Sequence, residues 1–182
     1  MSRLVGILSL VLALGLLGGC ASGGDTPGGS VLYDDAGQLQ ESEIRLETYR
    51  PGRTLTDPDL RLLGARDGRV QGQVRTHSKE GEAEVPLDAY GKLWRVLRDG
   101  GAMLMEREAP ARDGGLYHLV RLRMGTDVHE FSAQERTNFL GVSTKGQFER
   151  LDLVNAIAKA VSTNVPTTKR VKGEKTDEGA TP

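Results

Sequence analysis

A chain of 182 residues with 27% charged and 4% aromatic side chains has room for one ordinary domain plus tails, and its core must be aliphatic around a single tryptophan, Trp94. A formal net charge of −1 excludes the concentrated basic face that a grip on nucleic acid requires. The lone cysteine, Cys20, excludes any disulfide within the chain, thiol-rich metal sites and thiol catalysis by the folded part.

The chain opens with Met1-Ser2-Arg3, and Leu4 to Leu17 follows without a charge. As a helix that run reaches roughly 21 Å, short of a hydrocarbon core of about 30 Å and suited to the apolar centre of a signal peptide. Leu17-Gly18-Gly19-Cys20 then resembles the lipobox of bacterial lipoproteins: an aliphatic residue, two small ones and the acceptor thiol. The resemblance implies cleavage before Cys20, lipid on the Cys20 sulfur and a membrane as the first partner. Ala21, where aspartate commonly signals inner-membrane retention, implies the outer membrane facing the periplasm if the host is diderm. The expected layout is a signal peptide over 1–19, a lipid-anchored flexible tether over 20–42, a folded domain over 43–164 and a disordered polar tail over 165–182.

Within the domain, Ile44 to Arg50 alternates apolar and polar residues and stops at Pro51-Gly52, which predicts a half-buried strand. Leu60 to Leu63 and Val70 to Thr76 flank Asp67-Gly68, a dipeptide suited to a tight hairpin. Residues 86 to 99 predict a helix that opens at Pro86, with Leu87, Tyr90, Trp94 and Leu97 on one face, widened by Leu93 and Val96. Three strands follow: Met103 to Arg107, Leu116 to Arg123 and Val128 to Ala133. The last two pair through Gly125-Thr126, in a register that sets Arg121 opposite Glu130, Val120 opposite Phe131 and Leu122 opposite His129. The stretch 134–143 reads either as a loop or as a short helix capped by Ser132-Ala133-Gln134-Glu135. A second helix is predicted over 147–162, opened by a capping box at Thr144-Lys145-Gly146-Gln147 and burying Phe148, Leu151, Val154, Ala158 and Val161. The order of elements predicts an α+β fold, a small antiparallel sheet with two main helices packed on one face.

Candidate chemistry begins with the histidines His77, His118 and His129. In the register above, His118 and His129 share a face but stand roughly 13 Å apart along the sheet, too far to ligate one zinc ion. They read as core-edge residues satisfied locally, and His77 as exposed. Asp34-Asp35-Ala36-Gly37 with Glu41 and Glu43 lacks the alternating oxygen ligands of a calcium loop. Glu80, Glu82 and Glu84 read as a solvated connection rather than a carboxylate pair in a cleft. Met103 and Met105 share a predicted strand face and read as core. No hydrolase, metalloprotease, P-loop or dinucleotide motif is present. The expectation is no catalytic residues, no metal site and no cofactor.

The helix with Leu93-Trp94 and Leu97, the hairpin from Tyr117-His118-Leu119-Val120-Arg121 to His129-Glu130-Phe131, and the closing helix together resemble the emfourin-type domain, a small bacterial module known from a protease inhibitor. The likeness covers 43–162 and implies a protein-binding role. Tyr49-Arg50-Pro51-Gly52 departs from the inhibitor's glycine-rich segment, and no functional residue carries over. The sequence therefore points to a non-enzymatic envelope lipoprotein whose domain binds a protein or envelope component. Two alternatives stay open. One is a hydrolase or ligand-binding enzyme with a site built from separate elements, such as His118 with Glu106 or Glu108. The other is a structural spacer.

Overall fold

Alternation sets strand β1 (Ser42–Tyr49): Ser42, Ile44, Leu46 and Thr48 are buried on one face, while Glu43, Arg45, Glu47 and Tyr49 line the other. A computed structural model describes residues 32–33, 37–51, 57–111, 114–136 and 145–170. Cys20 and the lipobox, most of the expected tether, Asp34 to Ala36, the cap at Thr144 and residues 171–182 lie outside the described residues.

Strands β2 (Asp59–Arg66) and β3 (Arg69–Arg75) pair through Asp67 and Gly68, whose φ angles of 51° and 76° give the turn that matches the twist of the flanking strands. Strands β5 (Gly114–Met124) and β6 (Asp127–Arg136) form the longest hairpin, with Val120 opposite Phe131, Arg121 opposite Glu130 and Leu122 opposite His129, the register read from the sequence. Two further strands are β4 (Lys79–Glu84) and β7 (Thr168–Lys169). The result is one antiparallel sheet in the order β6-β5-β1-β2-β3-β4-β7.

This sheet corrects the expected fold class. Among the described residues strand outweighs helix, 44% against 31%, and the fold is a seven-stranded antiparallel sheet with two helices rather than an α+β fold on a small sheet. The physical reason lies at the sheet's edges. In β4 the residues facing the core are Gly81 and Ala83, Gly81 having no room for a side chain because Pro166 packs against it, and the alternate positions are all glutamate. A strand that buries so little carries no apolar period, so its glutamates resemble a solvated connection. Strand β7 is two residues long and shows none either.

Helix α1 (Leu87–Asp99) follows Pro86 and buries Tyr90, Leu93, Trp94 and Leu97. Val96, expected to widen that face, is 48% exposed. Helix α2 (Lys145–Asn164) buries Leu153, Val154, Ile157 and Val161. Its stripe is rotated from the expected one, because Arg150 faces the edge of β6 and leaves Phe148 56% exposed. These helix faces close over Ile44, Leu46, Leu63, Val70, Val120, Leu122 and Phe131 of the sheet, each of which adds about 1.5–3 kcal/mol when fully buried.

The packed unit also extends past both expected ends. Leu32 is fully buried, and its carbonyl accepts from Gln40 N at 2.8 Å. At the other end Val165 is buried and residues 168–169 complete the sheet. Met103 to Arg107 is not a strand: a 3₁₀ turn at Ala102–Leu104 is followed by an irregular segment to Ala111. Residues 132–135 continue β6 rather than capping a helix.

Candidate functional site

At the end of the sheet where β5 turns into β6, a cleft of about 320 Å³ opens beside the C-terminal half of α1. Trp94 and Leu97 line it from the helix, Leu122 and Met124 from β5, and Met103 from the 3₁₀ turn. Gln40, Arg98 and Asp127 supply its polar groups. Apolar walls with a few polar groups at the rim are what small-molecule sites commonly present, at volumes from about 300 Å³ upward.

Local structure holds each wall in place. Gly101, at φ 74°, reverses the chain after α1 into the 3₁₀ turn. His129 Nε2 then donates to Ala102 O at 3.0 Å, which pins that turn against β6. Gly125 N donates to Glu41 O at 2.8 Å, fixing the hairpin tip beside Gln40. Arg98 Nε lies 3.0 Å from Asp99 Oδ1, so the rim cation already has a carboxylate. Met103 is 48% exposed and Leu104, the next residue, 87%. The cleft thus opens beside protruding apolar side chains.

Inside, Tyr90 and Trp94 meet edge to face, with ring centroids 6.3 Å apart at 90°. The Tyr90 hydroxyl donates to Ser42 Oγ at 3.0 Å, and burial pushes its pKa up to about 12. The Trp94 indole N–H is buried and acts on the Tyr90 hydroxyl, whose pKa it draws down against the push of burial. Buried indole N–H groups ordinarily find an acceptor.

The other candidates separate. His118 and His129 lie four residues apart along the paired strands, on different partners. His118 Nδ1 is 3.0 Å from Thr48 Oγ1 and its Nε2 is 3.9 Å from Glu135 Oε1, so the carboxylate it meets is Glu135 rather than Glu106 or Glu108. The latter distance exceeds a hydrogen bond, and none of the three residues lines the cleft. Burial holds the His118 pKa below its ordinary value, against the pull of Glu135. His77 is half exposed, with its backbone N–H on Asp59.

Glu80, Glu82 and Glu84 stand on β4, not in a mobile connection. Glu80, Gly81 and Glu82 border an open hollow of about 260 Å³ with Arg75 and Thr168, an exposed surface rather than an enclosed site. Glu41 faces Arg66 and Arg123 at 3.9 Å each. Among the described residues no group of histidine, cysteine or carboxylate side chains could hold a metal ion. Met103 lines the cleft while Met105 is partly buried against the core.

On the sheet face away from the helices, Glu130 accepts from Arg121 Nε at 2.7 Å and from Arg107 Nη1 at 3.1 Å, and Arg121 holds its carboxyl below the usual range. Residues 106–111 run along β6. Arg150 from α2 clasps that edge, donating to Glu106 O at 2.6 Å and Ser132 O at 2.8 Å.

Sequence reasoning singled out Trp94, Leu97 and Met103 without placing them on one site. Gln40, Met124 and Asp127 carried no signal, because they meet only where the hairpin tip closes on α1. Among the described residues no helix is long and apolar enough to cross a membrane. Compared with models of known families and with curated proteins, the chain matches none.

Proposed function

We propose that the chain is a cell-envelope lipoprotein, anchored through lipid on Cys20, whose folded unit binds a protein or another envelope component and catalyses nothing. The observation that carries the binding reading is the cleft between α1 and the β5–β6 hairpin, bordered by the protruding Met103 and Leu104. An apolar hollow flanked by exposed apolar side chains loses water-facing surface when a partner covers it. The lipobox-like Leu17-Gly18-Gly19-Cys20 supports the anchor, since two or more acyl chains hold a protein durably where one does not. Ala21 supports the outer membrane, facing the periplasm, in a diderm host. The likeness of the sequence pattern to an emfourin-type domain supports a protein partner.

The test has two arms. Mass spectrometry of the membrane fraction should find Cys20 acylated at the mature N-terminus; an unmodified thiol overturns the anchor. Partners that co-purify with the anchored chain should be lost from Leu104→Glu, which places a charge on the exposed rim. Equal recovery from that variant overturns the cleft as the docking site.

A further inference from the structure

We propose that the end of the molecule holding the cleft docks onto the lipid surface that carries the Cys20 anchor, with Met103 and Leu104 entering the headgroup layer. The inference deepens the binding reading above by naming the envelope component, and it rests on the anchor. Three observations carry it.

The first is where the chain enters the fold. The carbonyl of Leu32 accepts from the N–H of Gln40, a residue of the cleft wall, at 2.8 Å. Glu41 O accepts from Gly125 N at the hairpin tip, and Ser42 pairs with Met124 of the cleft wall. The twelve residue steps from Cys20 to Leu32 span at most about 43 Å. The anchor therefore holds the cleft end nearest the lipid. The opposite end, where Thr48 pairs with Asp59 and Asp59 accepts from His77 N, lies roughly 20 Å further along β1.

The second is the apolar surface presented there. Leu104 is almost fully exposed and Met103 half exposed, both on the 3₁₀ turn that His129 pins through Ala102 O. Behind Met103 the apolar surface continues into the cleft over Leu97, Leu122 and Met124. Apolar side chains on a fixed turn shed water-facing surface on entering the boundary between headgroups and acyl chains. A tether raises the local concentration of that surface, so a contact too weak for a free protein persists in an anchored one.

The third is charge. Arg98 is held by Asp99 at 3.0 Å, Arg66 and Arg123 each face Glu41 at 3.9 Å, and Asp127 adds a carboxylate to the lining. These carboxylates offset the cations of this end, so the contact is apolar and indifferent to headgroup charge and salt.

The test places the acylated full chain in phosphatidylcholine nanodiscs, one chain per disc, with a gadolinium chelate on a fraction of the headgroups. Carbon-13 at the methionine methyls and histidine rings reports both ends. The Met103 methyl should broaden strongly while the His77 ring stays sharp. Leu104→Glu should weaken docking at least about tenfold, read as loss of the Met103 broadening. Leu104→Trp should keep that broadening, because a lipid interface has no fixed shape and favours tryptophan.

Several results overturn the proposal. Equal broadening of Met103 and His77 means the unit tumbles on its tether. Broadening unchanged in Leu104→Glu removes the apolar contact, and broadening lost in Leu104→Trp assigns it to a partner of fixed shape. Loss in about 0.5 M salt assigns it to charge. Broadening that requires two chains per disc assigns the face to a second copy. On the acylated chain, Leu104-independent broadening with proteins still lost from Leu104→Glu defeats this inference alone. Leu104-dependent broadening with those proteins equally recovered upholds it and ends the protein-partner reading of the cleft. An unmodified Cys20 thiol defeats the anchor, and this inference with it.

Discussion

His118 shows how a residue that invites a catalytic reading is accounted for by packing. It is buried, its Nδ1 is engaged by Thr48, and burial lowers its pKa, with Arg61 adding to that and Glu135 opposing it. A histidine with a depressed folded pKa favours the folded state while neutral. In the unfolded chain it takes up a proton near pH 6.5, so the unfolded state binds more protons below that value and stability falls as pH drops toward the folded pKa. The expected outcome is a melting temperature that declines below about pH 6.5, with a shallower decline over the same window in His118→Gln. Parallel curves would show that His118 does not titrate on unfolding. Glu130 behaves in the same sense at lower pH: its lowered pKa contributes stability above its unfolded value of 4.5, lost as pH falls through the folded one.

Arg150 makes a second residue-scale case. Its guanidinium is mostly buried and satisfies two backbone carbonyls that border β6. Arg150→Ala should cost about 2 kcal/mol by leaving those acceptors unpaired, measured as a lower denaturant midpoint. No sequence pattern marks this arginine, because its role depends on the edge of β6 lying beside it. By contrast, the register of His129 against Leu122 was legible, since Gly125-Thr126 fixes the hairpin locally.

At the scale of elements, strong local periodicity was legible and edges were not. Strand β1, both hairpins and the two helices announce themselves through alternation, turn dipeptides or a helical stripe. Strand β4 does not, because Gly81 faces the carbonyl of Pro166 and has no room for a side chain: an added Cβ would lie 2.1 Å from that oxygen. Gly81→Val should therefore push the 166–170 segment away and cost about 1–3 kcal/mol. Hydrogen exchange should then show faster loss of protection at Arg170, whose N–H donates to Ser78 O. Unchanged exchange there would contradict the account. The cleft was illegible for a related reason: its walls come from α1, the 3₁₀ turn, β5 and Gln40, and nothing in the chain's order brings Gln40 to Trp94.

For the whole molecule, the two ends of the folded unit matter more than their composition suggests. Val165 lies in a stretch read as polar tail, yet it is 1% exposed and would meet a Cβ on Gly72 at 2.4 Å. Val165→Ala should lower stability by about 1–3 kcal/mol through the cavity it leaves, seen as a lower melting temperature. A change within error would mean the site collapses to fill the space. Leu32 plays the matching part at the other end, where a stretch of glycine and serine hides one buried leucine.

Both margins of the sheet are partly covered, one by the Arg150 clasp and the segment beside it, the other by the two-residue strand β7 paired to Lys79 and Glu80 of β4. Open margins recruit strands from neighbouring molecules. On the proposed lipid anchor, copies of this chain would meet far more often than in solution, and the covered margins would then hinder a dense layer from knitting into fibres.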